Sequence, residues 1–155
     1  MSSRVKPVTE ERQSVTPYLT IRNAGAAVEF YKEVFGATEK MRMAEPDGKV
    51  GHAEIEIGNA RIMISDEYPE IDVLGPESRG GSTVGLHILV DDVDDVFARA
   101  LAAGARELKP VSDQFYGERS GKLADPFGHI WYIATAKENL SDEEVQSRYE
   151  ALMKQ

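Results

Sequence analysis

Residues 16–37 read TPYLTIRNAGAAVEFYKEVFGA, and residues 87–105 read HILVDDVDDVFARALAAGA. In the first stretch Leu19 and Ile21 alternate with Thr16, Tyr18, Thr20 and Arg22, the period of a half-buried strand. Asn23 stands where a helix cap belongs, Ala27, Val28, Tyr31, Val34 and Phe35 recur at helical spacing, and Gly36 ends the run. The second stretch has the same grammar. Leu86, Ile88 and Val90 make the apolar side of a strand, with Gly85, His87 and Leu89 opposite. Asp91 or Asp92 caps a helix carrying Val93, Val96, Phe97, Ala100 and Leu101, and Gly104-Ala105 closes it as Gly36-Ala37 closes the first.

The helix-ending glycines are separated by 104 − 36 = 68 positions and the strand faces by 88 − 19 = 69, which puts one deleted residue in the cap region. Farther on, GHAEIEIG (51–58) lies over GKLADPFG (121–128) with an offset of 70, and each segment runs into an apolar strand, ARIMIS or HIWYIAT. Nearly one offset at three landmarks marks an internal duplication. Each copy also has room for a further strand, at Lys40–Ala44 and at Arg106–Pro110. The fold class expected is α+β, built from two tandem βαβββ modules over residues 15–66 and 83–136. A polar linker (67–82) joins them, a mobile arm (1–14) precedes them, and a C-terminal helix falls within 137–155. In that helix Ser141 and Glu144 form a capping box, and Val145, Tyr149 and Leu152 form an apolar stripe.

Composition narrows the function. A chain of 155 residues, 41% hydrophobic and 29% charged, has the size and balance of one globular domain. It contains no cysteine, which excludes disulfides, thiolate metal sites and a thiol nucleophile. With 27 acidic against 18 basic residues its net charge is −9, which repels phosphate backbones and anionic lipids. The reading is therefore a cytoplasmic protein with no nucleic-acid and no membrane partner, because the N-terminal residues lack an apolar signal core and no apolar run is long enough to span a bilayer. Nucleophile elbow, phosphate loop and dinucleotide fingerprint are all missing. SRGGST lacks the lysine and helix of a phosphate loop, and DDVDD (91–95) lacks the spacing of a calcium loop.

Four ordered segments carry a family likeness: TPYLTIRNAGAAVEFYKEVFGA, GHAEIEIGNARIMISDE, HILVDDVDDVFARALAAGA and YGERSGKLADPFGHIWYIAT. Over residues 15–136 the chain resembles the vicinal oxygen chelate superfamily, which includes glyoxalases, bleomycin-resistance proteins and dioxygenases, and within it the PhnB-like branch. The resemblance implies two sheets curled into a cup, commonly completed by a second copy in a homodimer, with function on the concave face. The superfamily includes metal-dependent enzymes and metal-free antibiotic-sequestering proteins, so the fold alone does not choose among activities.

In metal-dependent members, His or Glu occupies the first strand and the last strand of each unit. The corresponding positions here are Thr16, Gly85, Tyr132 and, at 132 − 70, Ile62. None supplies an imidazole or a carboxylate, as a divalent cation requires. The resemblance thus implies a small-molecule-binding protein with a metal-free pocket and no cofactor. The alternative is a metal-dependent lyase, isomerase or dioxygenase whose ligands have moved to His52, His87 and Glu54. Candidate pocket residues are Tyr18, His87, Tyr116, Glu118, Arg119 and Tyr132. Tyr18 and His87 are repeat mates that offer hydrogen bonds, and Arg119 either clamps an anionic ligand or braces its loop against Glu118 or Asp125. Asp125-Pro126-Phe127-Gly128 has the composition of a tight turn, and if Tyr132 faces the pocket, alternation sends Trp131 into the core.

Overall fold

The computed structural model describes residues 5–9 and 11–155, so the arm expected over 1–14 lies partly outside the described residues. The chain divides into two compact units, the first ending at Gly75 and the second running from Pro76 to Gln155. The first holds β1 (Tyr18–Ile21), α1 (Ala24–Phe35), β2 (Thr38–Ala44), β3 (Val50–Ile57) and β4 (Ala60–Asp66), and its sheet has the order β1-β4-β3-β2. The second holds a short α2 (Pro76–Arg79), then β5 (Gly85–Leu89), α3 (Val93–Ala102), β6 (Arg106–Asp113), β7 (Glu118–Ala124) and β8 (Ile130–Ala136), in the order β5-β8-β7-β6. Helix α4 (Asp142–Met153) follows, with Ser141 Oγ accepting from the backbone of Glu144. The stretch 67–82, expected as a polar linker, is not plain loop. It carries a 3₁₀ turn at Pro69–Ile71 as well as α2.

In each unit the first strand pairs in parallel with the last, and the remaining pairs are antiparallel. A parallel partner needs a crossover, and the helix supplies it and covers one face of its sheet. Leu19, Ile21, Ala53, Ile55, Ile62 and Ile64 are buried on that face in the first unit, with Val28, Tyr31 and Val34 of α1. The second unit buries Ile88, Leu123, Trp131 and Ile133 with Val93, Val96, Phe97 and Ala100 of α3. Gly121 is small for a packing reason, since a Cβ there would sit 2.7 Å from the Phe97 ring.

The end of the last strand closes the start of the helix in both units. Asp66, 7% exposed, takes the backbone N–H groups of Asn23 and Ala24 on one carboxylate oxygen (both 3.0 Å) and that of Val50 on the other (2.7 Å). Its counterpart Thr135 accepts from the N–H of Val93 at 2.8 Å and donates to the carbonyl of Val90 at 3.0 Å. Both groups satisfy donors that a helix N-terminus leaves without an internal partner. Asn23 and Asp92 add side-chain caps, as the sequence predicts, and Gly36 ends α1 at φ 69°.

Strand pairing corrects two points of the sequence alignment. The helix caps Asn23 and Asp92 keep the strand offset of 69, while the closing glycines Gly36 and Gly104 stand 68 apart, so the one deletion lies between cap and glycine rather than at the cap. The offset of 70 across the hairpins is also wrong. Glu56 pairs with Arg61 and Ala124 with Ile130, so β7 lies 124 − 56 = 68 beyond β3 and β8 lies 130 − 61 = 69 beyond β4. The second hairpin turn is one residue longer. There Asp125 accepts from the backbones of Phe127 and His129 and from the indole N–H of buried Trp131 (2.9 Å), and the Gly128 N–H closes the turn onto the Asp125 carbonyl.

Replacing Asp66 with Ala leaves three backbone donors without that acceptor, and the expected loss is about 3 kcal/mol of unfolding free energy. Urea denaturation of the two proteins measures it, and a loss under about 1 kcal/mol contradicts the role assigned to Asp66.

Candidate functional site

The face of the first sheet turned away from α1 carries Tyr18, His52, Glu54, Glu56, Arg61, Met41, Met43 and Met63. Alternation puts the β1, β3 and β4 residues there, opposite the buried Leu19, Ala53, Ile55, Ile62 and Ile64, and register adds the β2 methionines, since Met43–His52, Met41–Glu54, Glu54–Met63 and Tyr18–Met63 are partners. The Tyr18 side chain reaches across β4 so that its hydroxyl lies 2.7 Å from His52 Nδ1. His52 Nε2 is 2.8 Å from one oxygen of Glu54, and Arg61 donates to the other at 3.0 Å and to Glu56 at 3.0 Å. The His52 hydrogen bond first, then Arg61, holds the Glu54 carboxyl below its ordinary range. Arg61 does the same for Glu56, and both carboxylates push the Arg61 guanidinium up. An ionised Glu54 can only accept, so Nε2 of His52 carries a proton and donates to it, which leaves Nδ1 facing the Tyr18 hydroxyl.

In the second unit the corresponding face carries His87, Glu118, Lys122 and Tyr132. His87 Nε2 lies 3.1 Å from Glu118 Oε1. Tyr132 is the register partner of both His87 and Lys122, and the Lys122 ammonium stands 5.2 Å from the centre of its ring. The ring also lies over Gly85, where a Cβ would come within 2.3 Å of it. Tyr132 is exposed and Trp131 is buried on the opposite side, as alternation predicts.

Arg119 belongs to the other face. Its guanidinium holds Asp94, in the first turn of α3, through two bonds of 2.8 and 3.0 Å, and Asp113 at 3.2 Å. These carboxylates raise its pKa, and Arg119 in turn lowers that of Asp94. The bracing partners are thus Asp94 and Asp113, not the Glu118 or Asp125 expected. Tyr116 sits in the turn between β6 and β7, edge-on to Phe115. Beside that turn a cavity of about 360 Å³ is lined by charged and polar groups that include Glu118, Arg119, Lys137 and Glu138. Of the six candidate pocket residues, the second unit brings His87, Glu118 and Tyr132 onto one face. Tyr18 lies in the first unit with His52 and Glu54, which the sequence singled out for a different purpose.

The register also revises one metal position. Tyr18 pairs with Met63 and His87 with Tyr132, so the first-unit counterpart of Tyr132 is Met63, and Ile62 is buried beneath α1. The four positions are therefore Thr16, Met63, Gly85 and Tyr132, a set without carboxylate or imidazole that does not fit a divalent cation. Among the described residues no group of three His, Asp or Glu side chains is arranged to hold one. His52 and Glu54 are bonded to each other in the first unit, and His87 is in the second.

The chain belongs to the Glyoxalase/Bleomycin resistance protein/Dioxygenase superfamily, whose family model matches residues 13–133. It is 37% identical over 137 residues to the uncharacterized protein Mb0911c of Mycobacterium bovis, covering 86% of this chain and 90% of that one. Among solved structures it shares the fold of a PhnB protein from Bacillus cereus (TM-score 0.65, 20% identity, covering 80% of this chain and 100% of that one). It is similar in fold to the fosfomycin resistance protein FosX from Listeria monocytogenes, solved with Mn(II) and sulfate (TM-score 0.64, 18% identity, 88% and 97% covered). Among the described residues no helix is long and apolar enough to cross a membrane.

Because the Glu54 carboxyl titrates lower in the folded chain than in the unfolded one, the stability it contributes is present above the unfolded value, about pH 4.3. That contribution is lost as pH falls through the folded value. A Glu54→Gln variant is therefore expected to be less stable than the wild type from neutral pH down to about pH 5, with the gap closing below about pH 4. Denaturation midpoints across that range measure it, and a gap that widens in acid contradicts the assignment.

Proposed function

We propose that the chain is a small-molecule-binding protein of the glyoxalase/bleomycin-resistance type whose binding face works without the superfamily's metal. The observation that carries the reading is the contact between Gly85 and Tyr132. At two positions where metal-dependent members place donors, this chain has a residue with no side chain and an aromatic ring packed over it. Any side chain at 85 meets that ring, so the two positions are occupied jointly by one aromatic surface. A ring flanked by Lys122 and followed along the face by the His87–Glu118 pair suits an organic ligand with a planar apolar part and a polar edge. The reading includes the homodimer that the family resemblance implies, and a cytoplasmic location.

Titration of the dialysed protein with Mn²⁺, Zn²⁺, Ni²⁺ and Fe²⁺, followed by calorimetry and native mass spectrometry, tests the proposal. The expected result is no saturable site on the wild-type chain. One cation bound per chain and lost in a His87→Ala or His52→Ala variant overturns the proposal in favour of a metal-dependent enzyme with relocated ligands.

A further inference from the structure

Tyr18 and Tyr149 are equally open to solvent, at 50% and 49% exposure. Their surroundings differ. Tyr149 lies beside the Phe115 ring, with 5.9 Å between ring centres, whereas the Tyr18 hydroxyl meets an imidazole nitrogen whose ring is held from behind by a carboxylate. The carboxylate is itself anchored by Arg61. Nucleophile or acid, base and orienting group thus stand in line, each within hydrogen-bond reach of the next, and the first of them is exposed.

We propose that Tyr18, His52 and Glu54 form a proton relay in which Tyr18 is the catalytic residue, acting on a small enolisable carbonyl compound bound on this face of the first sheet. His52 and Glu54 are its positioning residues. The Tyr18 O–H gives its proton to His52 Nδ1, producing a phenolate and an imidazolium. Nε2 keeps its proton, and the adjacent Glu54 carboxylate balances the new positive charge. The phenolate then takes a proton from the carbon next to the carbonyl group, and that C–H electron pair becomes the enolate. Return of that proton to the same or a neighbouring carbon regenerates the phenolate, and His52 Nδ1 then hands its proton back to restore the phenol, which completes an exchange or isomerisation without oxidant, reductant or metal. The hydrogen bonds from His52 and then Arg61 keep Glu54 ionised, so the carboxylate accepts and does not compete for the relayed proton. Met41, Met43 and Met63 border the relay on the same face, and their flexible thioethers suit the apolar body of such a compound. The inference goes beyond binding and stands on first-unit geometry alone, so it is independent of whether Gly85 and Tyr132 exclude a metal.

The reactivity of the phenol can be read with p-nitrophenyl acetate, whose acetyl carbon accepts the Tyr18 oxygen while p-nitrophenolate leaves and the phenol proton passes to His52. Time-resolved peptide mapping of the full chain at neutral pH gives the acetylation rate of each tyrosine. Tyr18 is expected to react on the order of 100-fold faster than Tyr149, the low end of what a positioned general base supplies. His52→Ala and Glu54→Gln are expected to bring Tyr18 down toward the Tyr149 rate while the Tyr149 rate and the circular dichroism spectrum stay unchanged. A wild-type ratio below about tenfold overturns the proposal, and that comparison needs no variant to fold. An undiminished Tyr18 rate in a folded His52→Ala variant overturns it equally.

Discussion

The pairing of each unit's first strand with its last, in parallel and in one register, is the constraint on which the other features rest. Tyr18 opposite Met63 and His87 opposite Tyr132 fix which side chains lie under the helix and which face away from it. A slip of one residue would turn Ile62 and Trp131 outward and bury Met63 and Tyr132, so burial enforces the register. The same pairing brings Asp66 and Thr135 to the starts of α1 and α3, where they take up backbone donors that would otherwise be stranded. Core, helix entry and functional face thus follow from one set of strand contacts.

Much of this was legible in the sequence, for physical reasons that hold locally. Leu19 with Ile21 and Trp131 with Tyr132 obey strict alternation, and Asn23, Asp92, Ser141 and Gly36 perform local capping chemistry that needs no knowledge of distant residues. The hairpin alignment went wrong because it matched glycines that do different work. Gly58 and Gly128 both adopt positive φ in turns, whereas Gly121 makes room for Phe97, and the second turn is one residue longer. Matching them shifted the counterpart of Tyr132 from Met63 to Ile62. Asp66 carries no local sign of its role, because an acidic residue at a strand end looks like the rim of a site or the start of a loop until three separate backbone donors converge on it.

The relay on the first sheet shows where sequence patterns stop. The spacing of His52, Glu54 and Glu56 puts them on one side of β3, and that much is visible in the chain. Their link to Tyr18 spans β4 and depends on the length of a tyrosine side chain, which no spacing rule encodes. Likewise, Arg119 follows Glu118 directly yet faces the opposite way, so one joins His87 and the other ties β7 to α3. The polar chemistry of both faces accordingly resides in side-chain pairs, at positions distinct from the four where the superfamily places its metal ligands.

The chain has three histidines, so ¹⁵N NMR can follow each imidazole by itself. His52 is engaged by Tyr18 and Glu54, and His87 by Glu118. The spectrum expected at neutral pH shows a His52 ring protonated at Nε2 and hydrogen-bonded as an acceptor at Nδ1, with the His52 and His87 signals unmoved by one equivalent of Zn²⁺. A coordination shift at either ring on adding the metal, or a His52 tautomer protonated at Nδ1, would contradict it.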